Sequence, residues 1–190
     1  MKINWKIPIP SEETERVALT YGDPADALTA VNNYALYPLP EAIDNWHAIA
    51  PLLKTAHWYD VTAFYSRRKP DLSSENAKLL FEYNQKAFDA AKSKGGLIMY
   101  YQGVLIGNDN EQTRAGLQLP FVPNCLSFCI WETLQMAKEG AKIPDHKKAT
   151  HMTSLWFDGF SLVKYQVMLK QSKSKKTLHF QEVPYTRLES

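Results

Sequence analysis

An α+β domain made of two strand–helix–strand units is the fold class this sequence predicts, on three observations. From residue 58 the apolar pattern changes from a period of two to a helical period and back, and then does so again. The strand-like stretches alternate apolar and polar side chains, which suits an antiparallel sheet with one covered face. The helix-like stretches carry capping residues before them and glycine or proline after them.

The elements follow in order. Trp58–Ser66 puts Tyr59, Val61, Ala63 and Tyr65 on one face and is rich in β-branched and aromatic residues, as a strand requires. Asp71-Leu72-Ser73-Ser74-Glu75 supplies capping oxygens and an acid for a first helical turn. Ala77, Leu80, Phe81, Ala87, Phe88 and Ala91 then recur at helical spacing until Gly95-Gly96 ends the helix. Leu97–Ile106 reads as a second strand, bent at Gly103, and residues 107–123 as a polar excursion closed by Pro120 and Pro123.

Leu126–Trp131 is a third strand. Thr133 caps a short helix that stops before Pro144, since the residue before a proline resists helical angles. Asp145 caps a second helix running to about Asp158, and Gly159 permits the turn out. In the next strand Val163, Tyr165, Val167 and Leu169 face one way, and Lys164 and Gln166 the other. The basic run from Lys170 to Lys176 reads as a solvated hairpin turn into a last strand, Thr177–Val183. Ahead of all this, Pro8, Pro10, Pro24, Pro38, Pro40 and Pro51 break up residues 1–56. Short strands are expected there at Arg16–Thr20 and Val31–Leu36, with a helix from Pro40 to about Lys54.

Strand–helix–strand twice over is the split βαβ repeat of a ferredoxin-like domain: four antiparallel strands with two helices on one face. The chain thus divides into an extension packed on the core (1–56), the domain (57–184) and a tail (185–190). In such folds the sheet face away from the helices is commonly covered by a second subunit, as in the dimeric α+β barrel, so a homodimer is expected.

Composition narrows the function. With 45% apolar residues among 190, the chain can bury one substantial core. A formal net charge of +2 and the lack of clustered basic residues outside the hairpin argue against nucleic acid. No stretch approaches the roughly 18 apolar residues of a membrane span, and Met1–Lys6 is followed by no apolar signal core. Cys125 and Cys129 fall on one strand about 13 Å apart, too far for a mutual disulfide, and read as buried thiols of a cytoplasmic protein. Aromatic residues make up 12%, which suits a pocket for a small organic ligand. Glycine-rich phosphate loops, a nucleophile elbow and a dinucleotide fingerprint are all missing, which lowers the odds of nucleotide use.

One segment carries a resemblance. Ser127-Phe128-Cys129-Ile130-Trp131-Glu132-Thr133, then His146, Ala149, Trp156-Phe157 and Lys164-Tyr165, resembles dimeric ferredoxin-like proteins of the antibiotic-biosynthesis-monooxygenase type. In those a strand ends in a Trp-Glu-Ser-like step, a helix bears a His near its middle, and the returning strand carries a Tyr. The spheroidene-monooxygenase-like and haem-degrading branches share the layout, and the segment is also similar to fungal proteins of unassigned function found near biosynthetic genes. This chain has Thr133 where Ser is usual, a break at Pro144, and the extension. The resemblance implies an enzyme of biosynthesis acting on a small hydrophobic substrate by cofactor-free oxygenation, cyclisation or isomerisation. The alternatives are a haem-binding protein with a His ligand and a non-catalytic dimeric binding module.

The candidate catalytic residues are His146, Tyr101 and Asp60. His146 sits in a first helical turn, where the helix dipole disfavours imidazolium, so a neutral ring can take a proton or bind haem iron. Tyr100-Tyr101 sends one phenol to each sheet face, and Asp60 interrupts an apolar strand. The candidate substrate-binding residues are Trp131 at its strand end, Tyr100, Trp156, and Asn124 and Arg114 in the excursion. His146 and His151 are spaced five apart, poorly aligned on one helical face, so no metal site is expected.

Overall fold

The computed structural model describes residues 4–9, 24–107, 112–173 and 175–184. Side-chain alternation is satisfied in it by one sheet of six strands among the described residues: β1 (Asn4–Ile9), β2 (Trp58–Arg68), β3 (Leu97–Tyr101), β4 (Cys125–Trp131), β5 (Phe157–Ser172) and β6 (Lys175–Val183). Their order is β1-β6-β5-β2-β4-β3, and every neighbouring pair is antiparallel. The helices are α1 (Leu39–Ala42), α2 (Ser74–Lys94), α3 (Leu134–Ala141), α4 (Pro144–His151) and α5 (Thr153–Trp156). The run β2-α2-β3-β4-α3-α4-α5-β5, with β5-β2-β4-β3 as its spatial order, is the ferredoxin-like α+β fold. Strands β6 and β1 widen the sheet beyond β5.

The caps read from the sequence close α2 and α3. Ser73 Oγ accepts from the Asn76 amide at 3.2 Å, and Thr133 Oγ1 accepts from the Met136 amide at 3.2 Å. Gly95, at φ 85, ends α2.

Several expectations are corrected. Pro144 is already the first residue of α4, so Ile143 is the cap and Asp145 lies in the first turn. The helix expected to reach Asp158 ends sooner: α4 stops at His151, α5 adds one turn, and Phe157 already pairs with Arg68. Gly159 lies inside β5, paired with Arg67, rather than at a turn, and the Phe121 ring packs where its side chain would go. Strand β3 ends at Tyr101 instead of Ile106. The helix expected over Pro40–Lys54 is split into α1 and a 3-10 stretch, Trp46–Leu52. Ile43 leaves helical angles to bridge Ala30, and the Asn45 side chain bonds to Thr29 N and Ala27 O. At Val31–Leu36 the chain makes a 3-10 turn, Tyr34–Leu36, in place of a strand. The strand expected at Arg16–Thr20 lies outside the described residues. Strand β1 was not foreseen because of Pro8; at the sheet edge its missing N–H costs no ladder bond.

The larger core lies on the face away from the helices. Tyr59, Val61, Ala63 and Tyr65 of β2, Phe128 and Ile130 of β4, and Tyr165 and Val167 of β5 are buried there. Residues 24–53 of the same chain cover them, with Tyr34, Leu39, Trp46 and Ile49 inserted into the cluster. Trp46 is the wedge, with ring centroids 5.4 Å from Phe128 and 4.8 Å from Phe180 and its Nε1 donating to Pro40 O at 2.9 Å. The face that the sequence left open to a second subunit is therefore filled from within. Replacing Trp46 by Ala should cost about 3–5 kcal/mol of unfolding free energy, read by urea denaturation. A loss under about 1 kcal/mol would show that this packing does not hold the extension to the sheet.

Candidate functional site

The opposite sheet face is covered less completely. A cavity of about 570 Å³ lies between α2, α4 and α5 above and β2, β4 and β3 below. Small side chains on the facing surfaces leave the room: Ala77, Ala87 and Ala91 on α2, Ala149 on α4, and Ser127 and Cys129 on β4. Aromatic rings wall it, among them Phe64, Phe88, Tyr100, Trp131 and Trp156. A volume of this order and an apolar lining are those of a small-molecule site.

Four of the residues singled out from the sequence meet in it: His146, Tyr100, Trp131 and Trp156. Trp131 is locked in place. Its Nε1 donates to Cys129 Sγ at 3.0 Å, and Gly140 lies against the ring so closely that a Cβ there would come within 2.4 Å. The Tyr100 hydroxyl donates to Asn84 Oδ1 at 2.9 Å, and burial pushes its pKa up to about 12, so it stays a phenol. Burial also pushes the Cys125 and Cys129 thiols up, which makes both poor nucleophiles.

His146 and Trp156 differ from the rest. Among the described residues, His146 Nδ1 and Trp156 Nε1 are the buried side-chain polar atoms with no hydrogen-bond partner. Trp156 is only 2% exposed, and Lys69 N holds its backbone oxygen at 3.0 Å. A buried polar group left unsatisfied costs about 1–3 kcal/mol, so two of them on one cavity wall mark where a ligand's polar atoms belong. Burial, against the ring's approach to its own backbone and with help from the Lys164 charge, lowers the His146 pKa below the ordinary histidine value, and the ring is therefore mainly neutral near pH 7.

The other candidates lie elsewhere. Tyr101 points to the far face, stacked on Phe128 at 5.0 Å and edge-on to Tyr34. Asp60 shares the helix-side face but does not line the cavity. Burial raises its pKa, against a hydrogen bond from Gln166 and the nearby Lys164 charge. Lys164 donates to Thr62 Oγ1 at 2.5 Å, and burial lowers its own pKa. Asn124 is a clamp: its Oδ1 accepts from Arg68 N at 2.9 Å, and its backbone bonds to Ser66 and Ile106. Arg114 lies over the Tyr37 ring at 5.3 Å, outside the cavity.

Sequence reasoning missed Arg68, Asn84 and Thr150, all on the wall. Asn84 and Thr150 are polar residues on mostly solvated helices and give no signal. Arg68 shares its parity with Phe64 and Ser66, so alternation does put it on their face, but nothing local says that this face is hollow.

The model of the PB2B2.08-like family matches residues 25–182. The chain belongs to that family. No curated protein matches it. Among solved structures it is similar to a dimeric protein of unknown function and ferredoxin-like fold from Bacteroides fragilis, at 15% identity over 56% of this chain and 93% of that one, TM-score 0.39. It is also similar to a dimeric ferredoxin-like protein of unknown function from Thermobifida fusca, at 13% identity over 59% of this chain and 93% of that one, TM-score 0.42. A candidate antibiotic biosynthesis monooxygenase from Nitrosomonas europaea aligns at 11% identity over 58% of this chain and 90% of that one, TM-score 0.39. Among the described residues no helix is long and apolar enough to cross a membrane.

The lowered pKa of His146 links folding to pH. The folded protein holds fewer protons at this ring than the unfolded chain does, so stability is full above the unfolded-chain value of about 6.5 and falls as pH drops toward the folded value. His179 shifts the same way and Asp60 the opposite way, so the contribution is isolated by difference. Chemical denaturation of the wild type and His146→Gln between pH 7.5 and 5 should show a shallower loss in the variant; parallel curves would refute the buried, neutral ring.

Proposed function

We propose that this protein is a small-molecule enzyme acting on a hydrophobic metabolite in the cavity between helices and sheet, by oxygenation or by cyclisation or isomerisation. The observation that carries the reading is the pair of unpartnered buried polar atoms, His146 Nδ1 and Trp156 Nε1, in an apolar space of about 570 Å³. Both chemistries share a first step that these residues supply. Neutral His146 Nδ1 takes a proton from an acidic C–H or O–H of the substrate, and the bonding pair stays behind as an enolate or phenolate. The developing oxyanion accepts a hydrogen bond from Trp156 Nε1–H, a donor already fixed on the cavity wall. With dioxygen as oxidant the substrate anion supplies the electrons, and a CH2 becomes a carbonyl that keeps one oxygen atom while the other leaves as water. Without dioxygen, reprotonation at another carbon isomerises the substrate, and attack on a carbonyl of the same molecule closes a ring. Asp60 and Tyr101, off the cavity wall, have no part in this step. A homodimer of this chain would use a surface other than the sheet face that residues 24–53 cover.

Mass spectrometry of small molecules retained by the purified protein identifies candidate substrates. With one in hand, His146→Ala should lower kcat by about 10²–10⁴ and remove the acid limb of the pH–rate profile. Unchanged turnover would end the base role. A second reading, haem held by His146, draws on the same unpartnered ring. The cofactor-free proposal expects no sharp Soret band on haemin addition; a band lost in His146→Ala would favour haem.

A further inference from the structure

Arg68 is the one formally charged side chain among the described residues that line the cavity, and the proposed proton transfer does not use it. Among the described residues no carboxylate pairs with its guanidinium; its backbone N–H alone is engaged, by Asn124 Oδ1. Alternation along β2 puts it on the cavity face with Phe64 and Ser66, where its charge acts on the Cys125 thiol, while Arg67 beside it is exposed. Half-buried on an otherwise apolar wall, Arg68 is the charged group that an anion entering the cavity would meet.

Its surroundings say what kind of anion. Phe81, Val104, Leu105 and Phe160 also line the cavity and are 62%, 70%, 49% and 38% exposed, so the opening is ringed by apolar side chains. Arg68 pairs with Phe157, the residue after Trp156, so the free indole N–H and the free guanidinium belong to the same end of the sheet. An apolar mouth with one cation, leading to an aromatic interior, matches an amphipathic molecule: a hydrophobic body inside and a single negative group at the entrance. The volume has room for roughly 20 non-hydrogen atoms at protein-like packing.

We propose that the natural ligand is an apolar monocarboxylic acid whose carboxylate pairs with Arg68 at the cavity mouth. This rests on the reading that the cavity binds a small molecule, and deepens it by naming the class. Arginine offers a planar fork of donors to a carboxylate, and the partial exposure of the site lets the carboxylate stay near water while the body is buried.

The test uses two fluorescent probes with one ring system, 1-pyrenebutyric acid and 1-pyrenebutanol, titrated into the full chain. The wild type should bind the acid about tenfold or more tighter than the alcohol at low salt, with the gap shrinking as salt rises. Arg68→Gln should bring the acid down to the alcohol while leaving the alcohol unchanged, and Arg68→Lys should recover part of the gap. Ala149→Phe, which fills the cavity, should weaken both probes. Equal binding of acid and alcohol to the wild type overturns the carboxylate assignment and leaves the cavity reading standing. Failure of both probes to bind the wild type overturns the two together.

Discussion

The sheet is apolar on one face and mixed on the other, and this chain supplies a cover for each. Residues 24–53 seal one face, driving Trp46 between Phe128 and Phe180, so that the larger core forms without the helices. The helices on the other face are released from that task. They can stand off the sheet over small residues and still belong to a stable domain. The cavity is thus compatible with a stable domain, since burial of the extension contributes hydrophobic free energy on the opposite face.

Within the cavity the chemistry is sparse and localised. Most polar atoms on its wall already have partners: Tyr100 bonds to Asn84, Trp131 to Cys129, and Asn84 is engaged in turn. Among the described residues, what remains unsatisfied is one imidazole nitrogen and one indole N–H, and the half-buried Arg68 guanidinium has no carboxylate partner. That contrast separates the groups that build the site from the groups available to a ligand. It also explains why two thiols and a phenol, despite facing the cavity, are poor nucleophiles: burial holds each of them neutral.

Much of the fold was legible because its signals are local. The alternation in β2 and β5, the Ser73 and Thr133 caps and the Gly95 stop each depend on neighbours a few residues away, and each recurs in the structure. The extension was read poorly because its conformation is set by distant partners: Ile43 turns extended to meet Ala30, and β1 forms because β6 offers an edge that tolerates Pro8. Of the eight residues singled out for the site, His146, Tyr100, Trp131 and Trp156 line the cavity, while Tyr101, Asp60, Asn124 and Arg114 do not. Residue type made all of them plausible. Parity separates Tyr100 from Tyr101 but does not say which face is hollow.

By itself the sequence determined the α+β class, the order of strands and helices from residue 58, and which side chains share a face, since these follow from backbone periodicity and capping chemistry. The tertiary structure alone decided which sheet face the extension covers, where the empty space lies, that the Arg68 end of β2 borders it, and which buried polar atoms go without partners. Those outcomes depend on contacts between residues far apart in the chain, whose packing no local pattern encodes.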